Sequence, residues 1–247
     1  NNLSQLKANR GAVALASDEA QNIFNGAYVL APQTPHEWSE NIDDATKLIN
    51  NIIKNNNIDS NRIYSYGCSA GGYMALDMVV HNPNLFAAVV STCPAIDQQN
   101  IKTYGEGRII TDEEIKSINI PTWVIQAKDD TTVKYEESAL RVYTLLKDKG
   151  AILTTYETGG HSSWIHTAKN EPENNGEHLW QWTAKQSLND EIKTPVENTI
   201  KNEPVNKTSA VKTGDTNHVY LYVVTGSISM AVMAEYIHNK NKKSITK

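Results

Sequence analysis

Three short stretches carry the side-chain types that acyl transfer needs: Gly67-Cys68-Ser69-Ala70-Gly71-Gly72, Lys128-Asp129-Asp130-Thr131-Thr132-Val133 and Glu157-Thr158-Gly159-Gly160-His161. A serine hydroxyl is a poor nucleophile unless a neutral histidine takes its proton, and that histidine needs a carboxylate to orient it. Ser69 stands at the centre of a G-x-S-x-G pattern. Small residues two before and two after the serine let a strained backbone pass close to itself and hold the hydroxyl outward. A helix opening directly behind such a serine aims its first N–H groups and positive dipole end at the oxygen that becomes negative during attack.

Two aspartates compete for the role of the acid. Asp130 is favoured because Val133, which starts the next packed segment, draws its carboxylate toward the cleft. Asp129 stays open as the alternative acid, or as a turn carboxylate bonding nearby backbone amides. Among the histidines, His161 follows two glycines that permit a sharp turn and precedes Ser162, Ser163 and Trp164. His166 and His178 compete from a helix-and-loop segment, where a histidine is more often a surface residue. His36, His81, His218 and His238 lack a strand-end context.

For these stretches to cooperate, the elements before them must deliver all three to one edge of a sheet. Arg62–Tyr66 reads as a buried strand feeding the serine turn, with an apolar helix from near Tyr73 behind it. Gly26–Pro32, Phe86–Thr92, Pro121–Ala127 and Ala151–Tyr156 read as further buried strands. Apolar residues at Ile42, Ala45, Leu48, Ile49, Ile52 and Ile53 recur at helical spacing, with Asp43 and Asp44 in the first turn, so Ile42–Lys54 is an expected amphipathic helix. Glu137–Lys147 is another. The run Ala12–Ala16 fits a short strand or a helix end equally. Strands alternating with helices over residues 26–165 predict an α/β architecture, a doubly wound and mostly parallel sheet covered on both faces.

Composition narrows the function classes. The 247 residues are 39% hydrophobic and 21% charged, enough for one sizeable core, and the net charge of −5 without a basic stripe argues against nucleic acid as a partner. Two cysteines, Cys68 and Cys93, are too few for a disulfide scaffold and lack metal-ligand spacing. They are expected as free buried thiols, with a mutual disulfide as the alternative. No metal and no cofactor is expected. The chain opens on Asn1-Asn2-Leu3, without an initiator methionine or signal peptide, which suggests a processed or truncated product.

The motifs GCSAGGYM, AKDDTTV and GGHSSW, in that order and each at a strand end, resemble the α/β-hydrolase superfamily. Within it the chain is similar to secreted bacterial prolyl-oligopeptidase-like hydrolases, the predicted-peptidase group that grades into polyhydroxybutyrate-depolymerase-like and feruloyl-type esterases. GAYVLAPQTPHEW resembles that family's fourth core strand and following loop. The resemblance covers residues 1–186 and implies Ser69 as nucleophile, Asp130 as acid, His161 as base and the backbone N–H of Ala70 as one oxyanion donor. Family members carry a His-Gly loop after a third strand lying between the fourth and fifth, and it supplies the second donor. Neither feature has a counterpart in these residues, so the fold is expected to lack its N-terminal strands. Residues 26–32 would then pair directly with the serine strand or leave a gap. Loss of one donor costs about 3 kcal/mol of transition-state stabilisation, which predicts weak or no activity for this chain and a parent sequence upstream.

Past residue 186 the composition changes. Residues 187–218 are rich in Asn, Lys, Thr, Glu and Pro and read as a polar, disordered linker. Val219–Ile237 is an apolar run of nineteen residues, the length of a transmembrane helix, and residues 238–247 form a basic cytoplasmic tail with Lys240, Lys242, Lys243 and Lys247. Val211-Lys212-Thr213-Gly214-Asp215 ahead of it resembles a Gram-positive sortase signal, with Val211 in place of the usual proline. The resulting expectation is a serine hydrolase on the extracellular face of a Gram-positive bacterium, anchored to wall or membrane, with a sortase as partner. It would cleave carboxylic esters, small or polysaccharide-linked, through an acyl-enzyme. A peptidase of the prolyl-oligopeptidase-like group, or a non-catalytic surface binding module that keeps the fold, are the alternatives. Gln33, Trp38 and Trp164 are candidate substrate contacts on loops expected to border the cleft, and core packing is their competing role.

Overall fold

The computed structural model describes residues 11–34, 38–97, 108–188 and 219–226. Helices α1 (Gly11–Leu15) and α2 (Asp18–Ile23) lead into β1 (Ala27–Leu30), so the ambiguous Ala12–Ala16 run falls on a helix and its end. A 3₁₀ turn (Trp38–Asn41) precedes α3 (Ile42–Asn55), β2 (Ile58–Cys68), α4 (Ala70–His81) and β3 (Ala88–Thr92). Then come α5 (Asp112–Ser117), β4 (Thr122–Ala127), α6 (Ala139–Leu146), β5 (Ile152–Tyr156) and α7 (Trp164–Ala168). A two-stranded ribbon of β6 (Glu173–Asn174) and β7 (Glu177–His178) precedes α8 (Leu179–Ala184), and β8 spans Val219–Gly226.

The six long strands form one sheet in the order β1-β8-β2-β3-β4-β5, with every neighbouring pair parallel. Each residue of β3 and β4 is buried, as expected of central strands covered on both faces, whereas β1 and β5 at the edges are partly exposed. Side chains alternate between two cores with the strand period of two. Ile63, Val89 and Val124 pack with Ile42, Ala45 and Ile49 of α3, the buried length of α4, and Ala139, Val142 and Leu146 of α6. Tyr64, Val90, Trp123 and Ile125 pack on the opposite face with Leu15, Ala20, Phe24, Leu179 and Trp180. The sheet is therefore doubly wound.

Two expectations change. Leu48 was placed on the apolar stripe of α3, but it is exposed at 40%, because Ile42, Ala45 and Ile49 already fill the face that meets the sheet. The larger correction concerns the run expected as a transmembrane helix over 219–237. Residues Val219–Gly226 form a strand that fills the slot between β1 and β2, with Tyr220 opposite Ala27 and Tyr222 opposite Tyr64. Its sequence, VYLYVVTG, is β-branched and aromatic, which suits a pleated surface between two open ladders better than a helix. Thus β1 neither pairs directly with β2 nor leaves a gap. Among the described residues no helix is long and apolar enough to cross a membrane. Residues 227–237, the basic tail and nearly all of the linker lie outside the described residues, as does the sortase-like motif.

Candidate active site

The serine turn is held by close backbone approach. Ser69 adopts φ 56° and ψ −123°, a sparsely populated conformation for a residue with a side chain. The surroundings satisfy its strained peptide groups: its N–H donates to the Thr92 carbonyl at 3.0 Å, and its own carbonyl accepts from Tyr73 and Ala95 N–H groups at 3.0 Å each. The turn closes only because Gly67 carries no side chain. A Cβ there would lie 1.9 Å from the Gly71 carbonyl oxygen. A Cβ on Gly72 would meet the Thr92 carbonyl oxygen at 2.9 Å, so this glycine lets α4 sit tightly over the end of β3. Ala70 is the first residue of α4, where an N–H has no intrahelical acceptor.

β4 and β5 deliver the partners. His161 Nε2 lies 2.9 Å from Ser69 Oγ, and its Nδ1 lies 2.8 Å from Asp130 Oδ2. The other carboxylate oxygen of Asp130 accepts the N–H groups of Thr132 and Val133 at 2.9 Å each, which fixes the acid from behind. Gln126 Nε2 donates to Asp130 Oδ2 at 3.2 Å and to the Val133 carbonyl at 2.8 Å. Burial alone would raise the Asp130 carboxyl, but the bonds from His161 and the Val133 and Thr132 amides hold it below the usual carboxylate range. Burial disfavours the His161 imidazolium, yet its hydrogen bond to Asp130, the adjoining Cys93 sulfur and the Asp130 charge together outweigh this and hold it above the ordinary histidine range.

These shifts set a pH dependence. Proton transfer from Ser69 requires neutral His161, so activity rises with pH as His161 loses its proton. Because Asp130 raises that ionisation above 6.5, the acid limb of kcat/KM is expected to have its midpoint above 6.5. Asp130→Asn should lower both the midpoint and the plateau. A wild-type midpoint below 6.5, read from the rate of fluorophosphonate inactivation between pH 4 and 9, would contradict it.

It is Asp130, not Asp129, that meets His161. The Asp129 carboxylate accepts the N–H groups of Gly159 at 3.2 Å and Gly160 at 2.8 Å instead. The competing histidines stand elsewhere: His166 stacks on Tyr156 with ring centroids 4.1 Å apart and pairs with Glu171, and His178 is exposed on β7. Trp164 is half-buried at the start of α7, three residues beyond His161. Gln33 is exposed on the loop after β1, an edge strand separated from β2 by β8. The side chain of Trp38 and all of His36 fall outside the described residues.

Three contributors escaped the sequence. Thr92 anchors the strained serine, and Gln126 braces the acid; a glutamine inside the apolar strand TWVIQA was a readable signal for the latter. Cys93 is the third. It is a free, buried thiol, as is the partly buried Cys68 a free one, and its sulfur lies within 4.8 Å of donor atoms on His161 and Asp130. Sulfur, nitrogen and oxygen donors so grouped are types that bind metal ions. Here the histidine and aspartate are committed to each other, and burial pushes the Cys93 thiol up, away from the thiolate a metal needs.

The prolyl oligopeptidase family model matches residues 36–121, which include the serine turn but neither partner loop. No curated protein matches the sequence. Among solved structures, Pyrococcus horikoshii acylaminoacyl peptidase is similar at 20% identity and TM-score 0.44, over 54% of this chain and 26% of that one. Est1E from Butyrivibrio proteoclasticus with ferulic acid bound is 12% identical, with TM-score 0.46, over 55% of this chain and 66% of that one. A predicted CIB-like hydrolase from Thermoplasma acidophilum is 18% identical, with TM-score 0.40, over 52% and 54%. The chain thus spans about a quarter of the length of the Pyrococcus peptidase.

Proposed function

We propose that the protein is a serine hydrolase that cleaves carboxylic esters through a covalent acyl-enzyme. The observation that carries this reading is the unbroken hydrogen-bonded line from Ser69 Oγ through His161 to Asp130, built at the carboxyl ends of β2, β4 and β5. Ser69 Oγ attacks the ester carbonyl carbon as its proton passes to His161 Nε2. The resulting oxyanion faces the Ala70 N–H and the N-terminal end of α4. Collapse breaks the bond to the alkoxide, which takes the proton from His161 and leaves as an alcohol. A water then gives a proton to His161 as its oxygen attacks the acyl carbon; the bond to Ser69 Oγ breaks, Ser69 takes the proton back from His161, and the carboxylic acid leaves. Asp130 keeps its negative charge throughout and stabilises the imidazolium.

A serine peptidase of the prolyl-oligopeptidase-like group is the second reading, and the family match over residues 36–121 favours it. Incubation of the full chain with a fluorophosphonate probe, followed by turnover of short acyl esters, feruloyl esters, acetylated sugars and peptide amides, tests both. Labelling with preferred turnover of esters is the expected result. Preference for amides would select the peptidase, and a folded chain that takes no label would make it a binding module.

Attachment to the extracellular face of a Gram-positive cell, with a sortase as partner, is a separate proposal supported by the V-K-T-G-D motif, the polar linker and the basic end. It competes with the fold, since residues 219–226 cannot occupy the sheet and a bilayer at once. Fractionation of the tagged chain from a Gram-positive host decides it: recovery with wall or membrane supports attachment, and recovery in the soluble fraction overturns it.

A further inference from the structure

We propose that Asp129 is a positioning residue for His161, its carboxylate clamping the two-glycine turn that delivers the imidazole to Ser69; this rests on the hydrolase reading above. The loops after β4 and β5 leave neighbouring parallel strands, and among the described residues three contacts join them besides the His161–Asp130 bond itself. The Lys128 N–H donates to the Tyr156 carbonyl at 2.8 Å, which only extends the ladder by one step. Lys128 and Glu157 form an ion pair at 2.6 Å, but their side chains are 48% and 78% exposed, and pairs so exposed contribute little. The third contact is Asp129, with one carboxylate oxygen on the Gly160 N–H at 2.8 Å and the other on the Gly159 N–H at 3.2 Å; it too is exposed, but its two bonds fall on the short, backbone-fixed N–H groups of one turn rather than on a long side chain.

Those two glycines need such a contact. Gly159 has φ 145° and Gly160 φ 56°, conformations that glycine reaches freely and leaves as freely, and nothing lies within 4 Å of where a Gly160 side chain would start. Packing contributes little to defining the turn, with open space at Gly160 and one ordinary contact, Ala127 Cβ at 3.7 Å, at the Cβ position of Gly159, whereas a carboxylate accepting both N–H groups fixes it. The bonds span 30 and 31 residues, so Asp129 is not closing its own turn, as turn aspartates commonly do. Consecutive aspartates thus divide the work: Asp130 holds the ring of His161, and Asp129 holds the backbone that carries it. A displacement of the imidazole by a fraction of an ångström weakens both of its hydrogen bonds, and misplacement of about 1 Å is enough to cost about 100-fold in rate.

The test compares the full chain with Asp129→Ala and Asp129→Asn. For alanine, kcat and the rate of fluorophosphonate inactivation should each fall roughly 10- to 30-fold with KM within about twofold, as expected of a group that positions the base without touching substrate. Asparagine keeps one carbonyl oxygen for Gly160 but turns an NH₂ toward the Gly159 N–H, so it should fall between. The downfield proton resonance of the His161–Asp130 hydrogen bond should broaden or shift in the order wild type, asparagine, alanine. An alanine variant with wild-type kcat and an unchanged resonance overturns the proposal. So does a lowered melting temperature with kcat per folded molecule unchanged, because Asp129 would then serve stability alone. If alanine prevents folding, the near-isosteric asparagine variant carries the comparison by the same criteria. If the wild type takes no label, the hydrolase reading fails, while the resonance still decides the clamp.

Discussion

Ser69→Ala is expected to abolish fluorophosphonate labelling and whatever ester turnover the wild type shows, a loss of up to about 10⁶-fold on the scale seen when one member of a cooperating triad is removed. No neighbour substitutes for the lost hydroxyl. Cys68 is adjacent in sequence, but burial pushes its thiol up to about 12, so it carries almost no thiolate at neutral pH. Cys93 lies beside His161, and burial raises its thiol as well. His161→Ala should cost nearly as much as Ser69→Ala, and the double variant no more than either, since each residue acts only through the other. Intact mass after probe treatment and kcat/KM for a short acyl ester measure both effects. Retained labelling in Ser69→Ala would move the nucleophile elsewhere and remove the basis of the proposed chemistry.

Gly67→Ala should be the most damaging single methyl in the described fold. Its Cβ would lie 1.9 Å from the Gly71 carbonyl oxygen, 2.3 Å from the Gly71 carbonyl carbon and 2.8 Å from the Gly72 nitrogen. All three atoms are backbone, so no rotamer change relieves the clash; β2 and the start of α4 must separate. That movement also breaks the Ser69-to-Thr92 and Ala95-to-Ser69 bonds that hold the strained serine. A loss of at least about 3 kcal/mol is expected, above the usual range for overpacking, together with loss of labelling. Gly150→Ala provides the control. Gly150 has φ 81° and nothing within 4 Å of its would-be Cβ, so only conformational strain of about 1–2 kcal/mol applies. Urea unfolding of the two variants should separate them clearly, and equal midpoints would refute the close-approach argument.

The legibility of the site followed from local chemistry. The strand before Ser69 and the helix after it are readable because burial imposes apolar patterns on both, and the observed β2 and α4 include the expected segments. Strands β3, β4 and β5 fall within a residue or two of their expected limits for the same reason. The order serine, acid, histidine is likewise visible in one dimension. The choice between Asp129 and Asp130 is only partly so: Val133 favours Asp130 in the sequence, but Asp129 stays open until the contact across two loops 30 residues apart shows the Thr132 and Val133 N–H groups holding the Asp130 carboxylate against the imidazole. The acidic doublet in fact supplies both contacts, one to the ring and one to the glycine backbone.

The C-terminal run shows the limit most clearly. Taken alone, Val219–Ile237 has the length and apolarity of a membrane span; the β-branched and aromatic residues at its start lean toward a strand, but apolar pattern alone does not decide between a helix needing lipid and a strand needing partners. The decision rests on backbone donors and acceptors far away in sequence: β1 and β2 present two open parallel ladders one strand-width apart, and Val219–Gly226 satisfies both. The amino-acid sequence by itself therefore determined the doubly wound class, the serine turn with its glycines and the strand ends bearing the acid and base, since each is a local pattern of burial and turn chemistry. Only the tertiary structure decided which aspartate meets His161, what steadies the turn before it, and which segment completes the sheet beside Ser69, because those depend on contacts between residues that nothing local brings together.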